Sequence, residues 1–294
     1  MQFVDQLAQF RPRQIATAAG VVQYRSAAWV GASTIPVTHV LLHGIGSGSG
    51  SWVHQFAQAH STLAAVHLLA WDAPGYGASD ALSSEAPTAR DYALQMWAWL
   101  DAVHTADGLA GEVPQPITLV GHSLGCLMAA SATRLAPERV KQLILLAPAQ
   151  GYARADAAVR AEKLNDRLDT LARLGPAQMA QSRGAAMLSP AAASEQIELV
   201  QSIMAQINPR GYAQAARMLS TGDLLADLEG VRCPIIVASG DADAITPPAA
   251  CKAAAAHVSA PYTPLAGAGH ACAIEAADAV NQLLGLKVIH KVSA

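Results

Sequence analysis

The chain has 294 residues, 52% of them hydrophobic and only 14% charged, which provides for a sizeable core and excludes a disordered chain. Its formal net charge is -3 and no block of Lys or Arg stands out, so nucleic acid and an anionic membrane surface are excluded as electrostatic partners. Cys126, Cys233, Cys251 and Cys272 are scattered, with no C-x-x-C and no His at ligand spacing; they read as buried thiols in a reducing compartment, and no metal is expected. Residues 1–20 carry Asp5, Gln6, Arg11 and Arg13 and lack the apolar stretch of a signal peptide. No run reaches the roughly 18 apolar residues of a spanning helix, so a soluble, cytoplasmic protein is the expectation.

In chain order, residues 13–18 and 21–29 flank Ala19-Gly20 and predict a two-stranded hairpin. Residues 38–42 form a short apolar run that ends in a glycine- and serine-rich loop, 44–51. A second such run, 65–70, ends in Trp71-Asp72-Ala73-Pro74-Gly75-Tyr76-Gly77. Tyr92, Met96, Trp99 and Val103 recur at helical spacing within 88–104. Residues 117–120 predict a third buried strand, 124–135 a helix directly after it, and 142–147 a fourth strand. Continuous apolar runs alternating with helices imply a mostly parallel sheet covered on both faces. From about 151 to 229 no strand pattern appears, and helix-patterned segments are cut at Gly175-Pro176, Ser189-Pro190 and Asn208-Pro209. Strands resume at 234–239 and, weakly, at 259–265, before a helical segment at 271–284. The economical reading is a core domain made of 1–150 and 230–294, with a helical subdomain, 151–229, inserted between two strands of one sheet. No role is assigned to 287–294.

Gly121-His122-Ser123-Leu124-Gly125 lies between a strand and a helix, where G-x-S-x-G makes a sharp turn that lifts the serine clear of the sheet. Ser123 then sits at a helix N-terminus, where free N–H groups favour developing negative charge. His43-Gly44-Ile45-Gly46 opens a loop after a strand, so the amides of Ile45 and Leu124 can form a two-donor oxyanion hole. His43, at a strand end, reads as structural. His122 is not expected to act as base, because neighbours at such a bend point away from each other. The strand at 234–239 ends in Gly240-Asp241-Ala242-Asp243, and either aspartate can orient a base. His270 follows in Gly267-Ala268-Gly269-His270-Ala271, just before the last helix. Nucleophile, acid and base therefore occur in the order Ser, Asp, His.

On these motifs the chain resembles the α/β-hydrolase superfamily from about residue 13 to 284. It is similar in particular to the bacterial branch of 3-oxoadipate enol-lactonases, carboxylesterases, cofactor-free haloperoxidases and meta-cleavage-product C–C hydrolases. The resemblance implies that the acid is the last Asp of a G-x-x-D-x-x-x-P string, which Gly240, Asp243 and Pro247 fit, so Asp243 is preferred to Asp241. It also implies that the strand-poor stretch is a helical cap, and that Asp72, in the turn 72–79, is structural. Cys126 stands where many relatives have a second glycine and is expected to be a buried filler. The Ser47-Gly48-Ser49-Gly50 loop lacks the glycine strings of several C–C hydrolases and peptidases. Ser123 removes the dehalogenase and epoxide hydrolase branches, which carry Asp at that turn.

The expected activity is cleavage of a small-molecule ester or lactone through an acyl-enzyme, with Ser123, Asp243 and His270 as the catalytic triad and no cofactor. C–C bond hydrolysis, a haloperoxidase or perhydrolase activity, and a catalytically silent binding protein on the same fold are the alternatives. In the cap, Met179, Met187, Met204 and Met218 can line an apolar pocket, and Arg154, Arg160 and Arg183 can meet a substrate carboxylate.

Overall fold

The computed structural model describes residues 3–28, 35–62, 65–109 and 114–286. Eight strands form one sheet: β1 (Arg13–Thr17), β2 (Gly20–Ala28), β3 (His39–Leu42), β4 (His67–Trp71), β5 (Ile117–His122), β6 (Val140–Leu146), β7 (Ile235–Gly240) and β8 (Tyr262–Leu265). Their order is β1-β2-β4-β3-β5-β6-β7-β8. β1 pairs antiparallel with β2 and β2 antiparallel with β4, and every later pairing is parallel.

The apolar runs are continuous because both faces of the sheet are covered. Along β3, Val40 and Leu42 enter one core while Leu41 enters the other. Leu143 and Leu145 of β6 likewise face opposite to Ile144 and Leu146, as strand geometry requires. The first core is closed by the helix Ala89–His104, which buries Tyr92, Met96, Trp99 and Val103, and by the helix Gly125–Leu135. Ala89–His104 starts at a reciprocal cap: Thr88 N–H donates to Asp91 Oδ2 (2.7 Å) and Asp91 N–H to Thr88 Oγ1 (3.4 Å). The helices Val53–Ser61 and Ala277–Leu283 pack on the other face.

Several expected boundaries move. Thr17 pairs with Gly20, so the hairpin turns at Ala18-Ala19, one residue early, and Gly20 (φ 118°) already belongs to the strand. Trp29, the expected end of that strand, lies outside the described residues, as does 287–294. The last helical segment breaks at Ala276 (φ -111°, ψ 45°) into Cys272–Glu275 and Ala277–Leu283. Three α-helices have no counterpart in the sequence reading: Phe3–Leu7, Val53–Ser61 and the alanine-rich Pro248–His257.

Between β6 and β7, which are neighbours in the sheet, the chain makes only helices: Ala157–Arg183, Ser194–Met204, Pro209–Thr221 and Leu224–Leu228. The first is two helices across a kink at Gly175 (φ 66°, ψ 168°), a conformation glycine tolerates, with Pro176 following. Asn208 caps the third by accepting from Arg210 N–H at 2.9 Å. Among the described residues no helix is long and apolar enough to cross a membrane.

Candidate active site

β5 ends at His122 and the next helix starts at Gly125, so Ser123 and Leu124 make the whole connection. Ser123 adopts φ 52°, a left-handed conformation that costs a non-glycine residue about 1–3 kcal/mol. The surroundings hold it there: Ser123 N–H donates to Leu146 O at 2.9 Å, and its own carbonyl accepts from Cys126 and Ala149. A Cβ at Gly121 would lie 2.6 Å from Gly125 O and 2.7 Å from Cys126 Cα, and one at Gly125 would meet Leu42 O and His43 O. Both glycines are therefore required by close backbone approach. Cys126 fills the bend, its thiol directed at Gly121 O (3.2 Å) and Leu146 O, and burial pushes it up and keeps it protonated.

The β7 and β8 ends bring the other two groups to the same edge. His270 is 2% exposed and Asp243 3%. His270 Nδ1 lies 2.9 Å from Asp243 Oδ2, and since a carboxylate only accepts, Nδ1–H donates and Nε2 keeps its lone pair. Asp243 Oδ1 accepts from the amides of Ile245 (2.8 Å) and Thr246 (3.0 Å). Thr246 Oγ1 lies 2.8 Å from Asp243 Oδ2 and 3.1 Å from His270 Nδ1, completing the carboxylate's shell. Burial pushes the Asp243 carboxyl up, but the hydrogen bond and charge of His270 and the Thr246 donors outweigh it and hold it below the usual carboxylate range. Asp241, by contrast, is exposed and caps the following turn by accepting from Gly267 N–H at 2.8 Å. The structure thus brings Asp243, and not Asp241, to His270.

Two further histidines serve the backbone. His43 Nδ1–H donates to Gly44 O at 2.8 Å while Nε2 accepts from Ala73 N–H at 3.0 Å, so burial keeps the ring neutral with both nitrogens used. Because the peptide is trans, fixing Gly44 O towards His43 turns the Ile45 N–H the opposite way. Tyr76 Oη–H donates to Ile45 O at 2.8 Å and holds the next peptide. Among the described residues, the Ile45 and Leu124 N–H groups have no hydrogen-bond partner. A Cβ at Gly44 would come within 3.1 Å of Ser123 Cβ, so the loop approaches the serine as closely as glycine allows. His122 also borders the cavity. Its Nε2–H donates to His270 O at 2.8 Å, and burial, with His270 nearby, lowers it to about 3, which keeps it neutral. Asp72 accepts from Ser49 N–H (2.7 Å), Ser49 Oγ (3.0 Å) and Gln23 Nε2 (2.6 Å), tying the 44–51 loop to β2.

Ser123, His270, Ile45 and Leu124 all border one cavity of about 570 Å3, within the range of small-molecule sites. Among the described residues no hydrogen bond joins Ser123 to His270. The opposite wall comes from the helical segment through Met179, Met187, Met204, Tyr212 and Leu219. Met218 is fully buried in the core instead. Of the arginines singled out in the sequence, Arg183 borders the cavity, Arg154 is paired with Asp223, and Arg160 does not line it. Arg167 lines it and was missed, as were Thr246 and Glu275. Glu275 accepts from Gly269 N–H (2.7 Å) and Ser189 N–H (3.0 Å), and Ala271 N–H donates to Met187 O (2.7 Å), fastening the His270 loop to the helical segment. Only Thr246 had a signal, three residues after Asp243 at the spacing of a local hydroxyl–carboxylate bond.

Comparison with known proteins agrees with this fold. The family model described as alpha/beta hydrolase family matches residues 40–283. The chain is 32% identical over 219 residues to a pimeloyl-[acyl-carrier protein] methyl ester esterase of Chromobacterium violaceum, covering 71% of this chain and 76% of that one. It is 28% identical to an (E)-2-((N-methylformamido)methylene)succinate hydrolase of Acinetobacter baylyi, covering 69% and 72%. Among solved structures, a thermophilic esterase from Thermogutta terrifontis superposes with a TM-score of 0.75 at 22% identity, over 94% of this chain and 97% of that one. An enol-lactonase from Burkholderia xenovorans LB400 gives 0.74 at 19%, over 93% and 98%.

Proposed function

The chain belongs to the alpha/beta hydrolase family and is a hydrolase, and on that premise we propose that it cleaves a carboxylic ester or lactone of a small organic substrate through an acyl-enzyme on Ser123. The observation that carries this reading is a buried His270–Asp243 pair bordering the same cavity as a strained serine and two amides without a hydrogen-bond partner among the described residues. Ser123 Oγ attacks the carbonyl carbon while His270 Nε2 takes the hydroxyl proton, and Asp243 holds the imidazole in the Nδ1–H tautomer. The amides of Ile45 and Leu124 receive the oxyanion. His270 returns the proton to the leaving oxygen, then draws one from the water that releases the acid. The proton transfer requires His270 Nε2 to come within hydrogen-bond reach of Ser123 Oγ in the reacting complex.

We further assign residues 151–229 as a cap over a core of 1–150 and 230–294. The cavity has Gly44, Ser123 and His270 on one wall and Met179, Met204 and Tyr212 on the other, which fits that division. Four free cysteines fit a reducing, cytoplasmic setting. The test is a fluorophosphonate probe together with p-nitrophenyl ester kinetics. Wild type should be labelled stoichiometrically, and Ser123→Ala should lose labelling and at least about a thousandfold in kcat while keeping its thermal midpoint. A folded Ser123→Ala protein with undiminished turnover refutes the assignment.

A further inference from the structure

We propose that the substrate carries a carboxylate remote from its scissile carbonyl, and that Arg167 and Arg183 hold it at the helical wall of the cavity. This rests on the serine hydrolase reading above and names the substrate class of that site.

Both arginines border the cavity, and among the described residues no Asp or Glu does. Among the described residues neither makes an ion pair, whereas Arg134, Arg139, Arg154 and Arg210, all away from the cavity, are each paired with a carboxylate. Two cations without a carboxylate partner thus line the same cavity, in a chain whose net charge is negative. Their convergence is built by the backbone. In an unbroken helix two residues sixteen positions apart would be separated by about 24 Å. The kink at Gly175 breaks that straight path, and both residues line one cavity.

Tyr212 reports the same convergence: burial pushes its phenol up, and the charges of Arg167 and then Arg183 oppose that shift. Arg167 rests 5.7 Å from the Tyr152 ring centroid and spends one N–H on Lys163 O (3.2 Å), leaving other donors of its planar fork free. Arg167 is half-buried and Arg183 exposed, so both keep access to water and sit at the cavity's rim. The apolar body of the cavity, with its methionines, takes the chain linking ester and acid. A planar, permanently charged fork suits a carboxylate in two-point contact.

The test is a matched pair with six-carbon acyl groups, p-nitrophenyl hexanoate and mono-p-nitrophenyl adipate, with adipate binding by calorimetry as a second measurement. Wild type should prefer the acidic ester in kcat/KM by about tenfold or more, since a hydrogen bond to a charged group corresponds to about ten- to a hundredfold. Arg167→Met and Arg183→Met should each lower the acidic-to-neutral ratio by about tenfold, Arg183→Lys by less, and added salt should lower the wild-type ratio. Adipate should bind wild type and adipamide should not. A ratio at or below one, a ratio unmoved by both substitutions, or adipate binding no tighter than adipamide overturns the proposal. Inorganic phosphate displacing adipate at lower concentration than adipate itself overturns the carboxylate assignment. If neither ester is hydrolysed and no probe is bound, it is the serine hydrolase reading that fails, and adipate binding still decides the anion site.

Discussion

Replacing Asp243 by Asn tests the orientation of the base with little change in shape. The carbonyl oxygen of the amide must stay on Oδ1's two donors, the Ile245 and Thr246 N–H groups at 2.8 and 3.0 Å. The NH2 then takes the place of Oδ2 and faces His270 Nδ1 at 2.9 Å and Thr246 Oγ1 at 2.8 Å. Two donors cannot face each other, so Nδ1 becomes an acceptor and the proton moves to Nε2. The lone pair that would accept the serine proton is lost. Thr246 accommodates the change, because its hydroxyl can accept from the amide and donate to Ala147 O at 3.1 Å. The fold should therefore survive while kcat/KM on a p-nitrophenyl ester falls about 10^3- to 10^4-fold, or about 4–5.5 kcal/mol of transition-state stabilisation. The assay is steady-state turnover from pH 6 to 9 beside thermal melts of both proteins. Asp241→Asn is the control: it keeps the acceptor for Gly267 N–H and should stay within about twofold of wild type. A folded Asp243→Asn protein within tenfold of wild type, or greater damage from Asp241→Asn, would refute the reasoning.

Other consequences follow from the same geometry. Burial lowers His39 to about 4 and His122 to about 3, so between pH 6.5 and 4 the unfolded chain binds protons that the folded one refuses. Their contribution is complete above pH 6.5 and is lost on acidification, by about 3 kcal/mol each near pH 4, and Asp243, held low, adds its loss only below the ordinary carboxylate range. Urea midpoints should fall steeply from pH 7 to 4.5; a flat profile contradicts buried neutral rings. Gly125→Ala places a methyl 2.8 Å from His43 O and against Leu42 O, backbone atoms that cannot step aside. It should cost about 3 kcal/mol or prevent folding, and a melt within a degree of wild type would count against the tight bend. Tyr76→Phe frees Ile45 O and loosens the adjacent oxyanion donor. It should lower kcat about tenfold with KM nearly unchanged, and an unchanged kcat would remove Tyr76 from that role.

What was readable in the sequence is what local chemistry dictates. Strands that bury both faces must be continuously apolar, so β3 to β7 showed as uninterrupted runs, and a bend as tight as that at Ser123 needs glycines at 121 and 125. The strand-poor stretch showed equally plainly, because Pro and Gly punctuate its helices at 175–176 and 208–209. The helices Val53–Ser61 and Pro248–His257 were not legible: alanine, glutamine and histidine carry little periodicity, and tertiary packing selects their conformation.

At the site, the sequence determined residue types and their order along the chain, and the backbone reading left Asp241 and Asp243 open. The tertiary structure decided the contacts. Which aspartate meets His270, which carbonyl His122 steadies, and which arginines share a cavity depend on backbone segments that are distant in the chain and brought together only by the sheet edge. Glu275 shows the limit most clearly. Its partners, Gly269 and Ser189, lie on the base's loop and on the helical segment, and no spacing rule links residues 86 positions apart. Hydrogen bonds are short-ranged and directional, so patterns along the chain predict only those made between near neighbours.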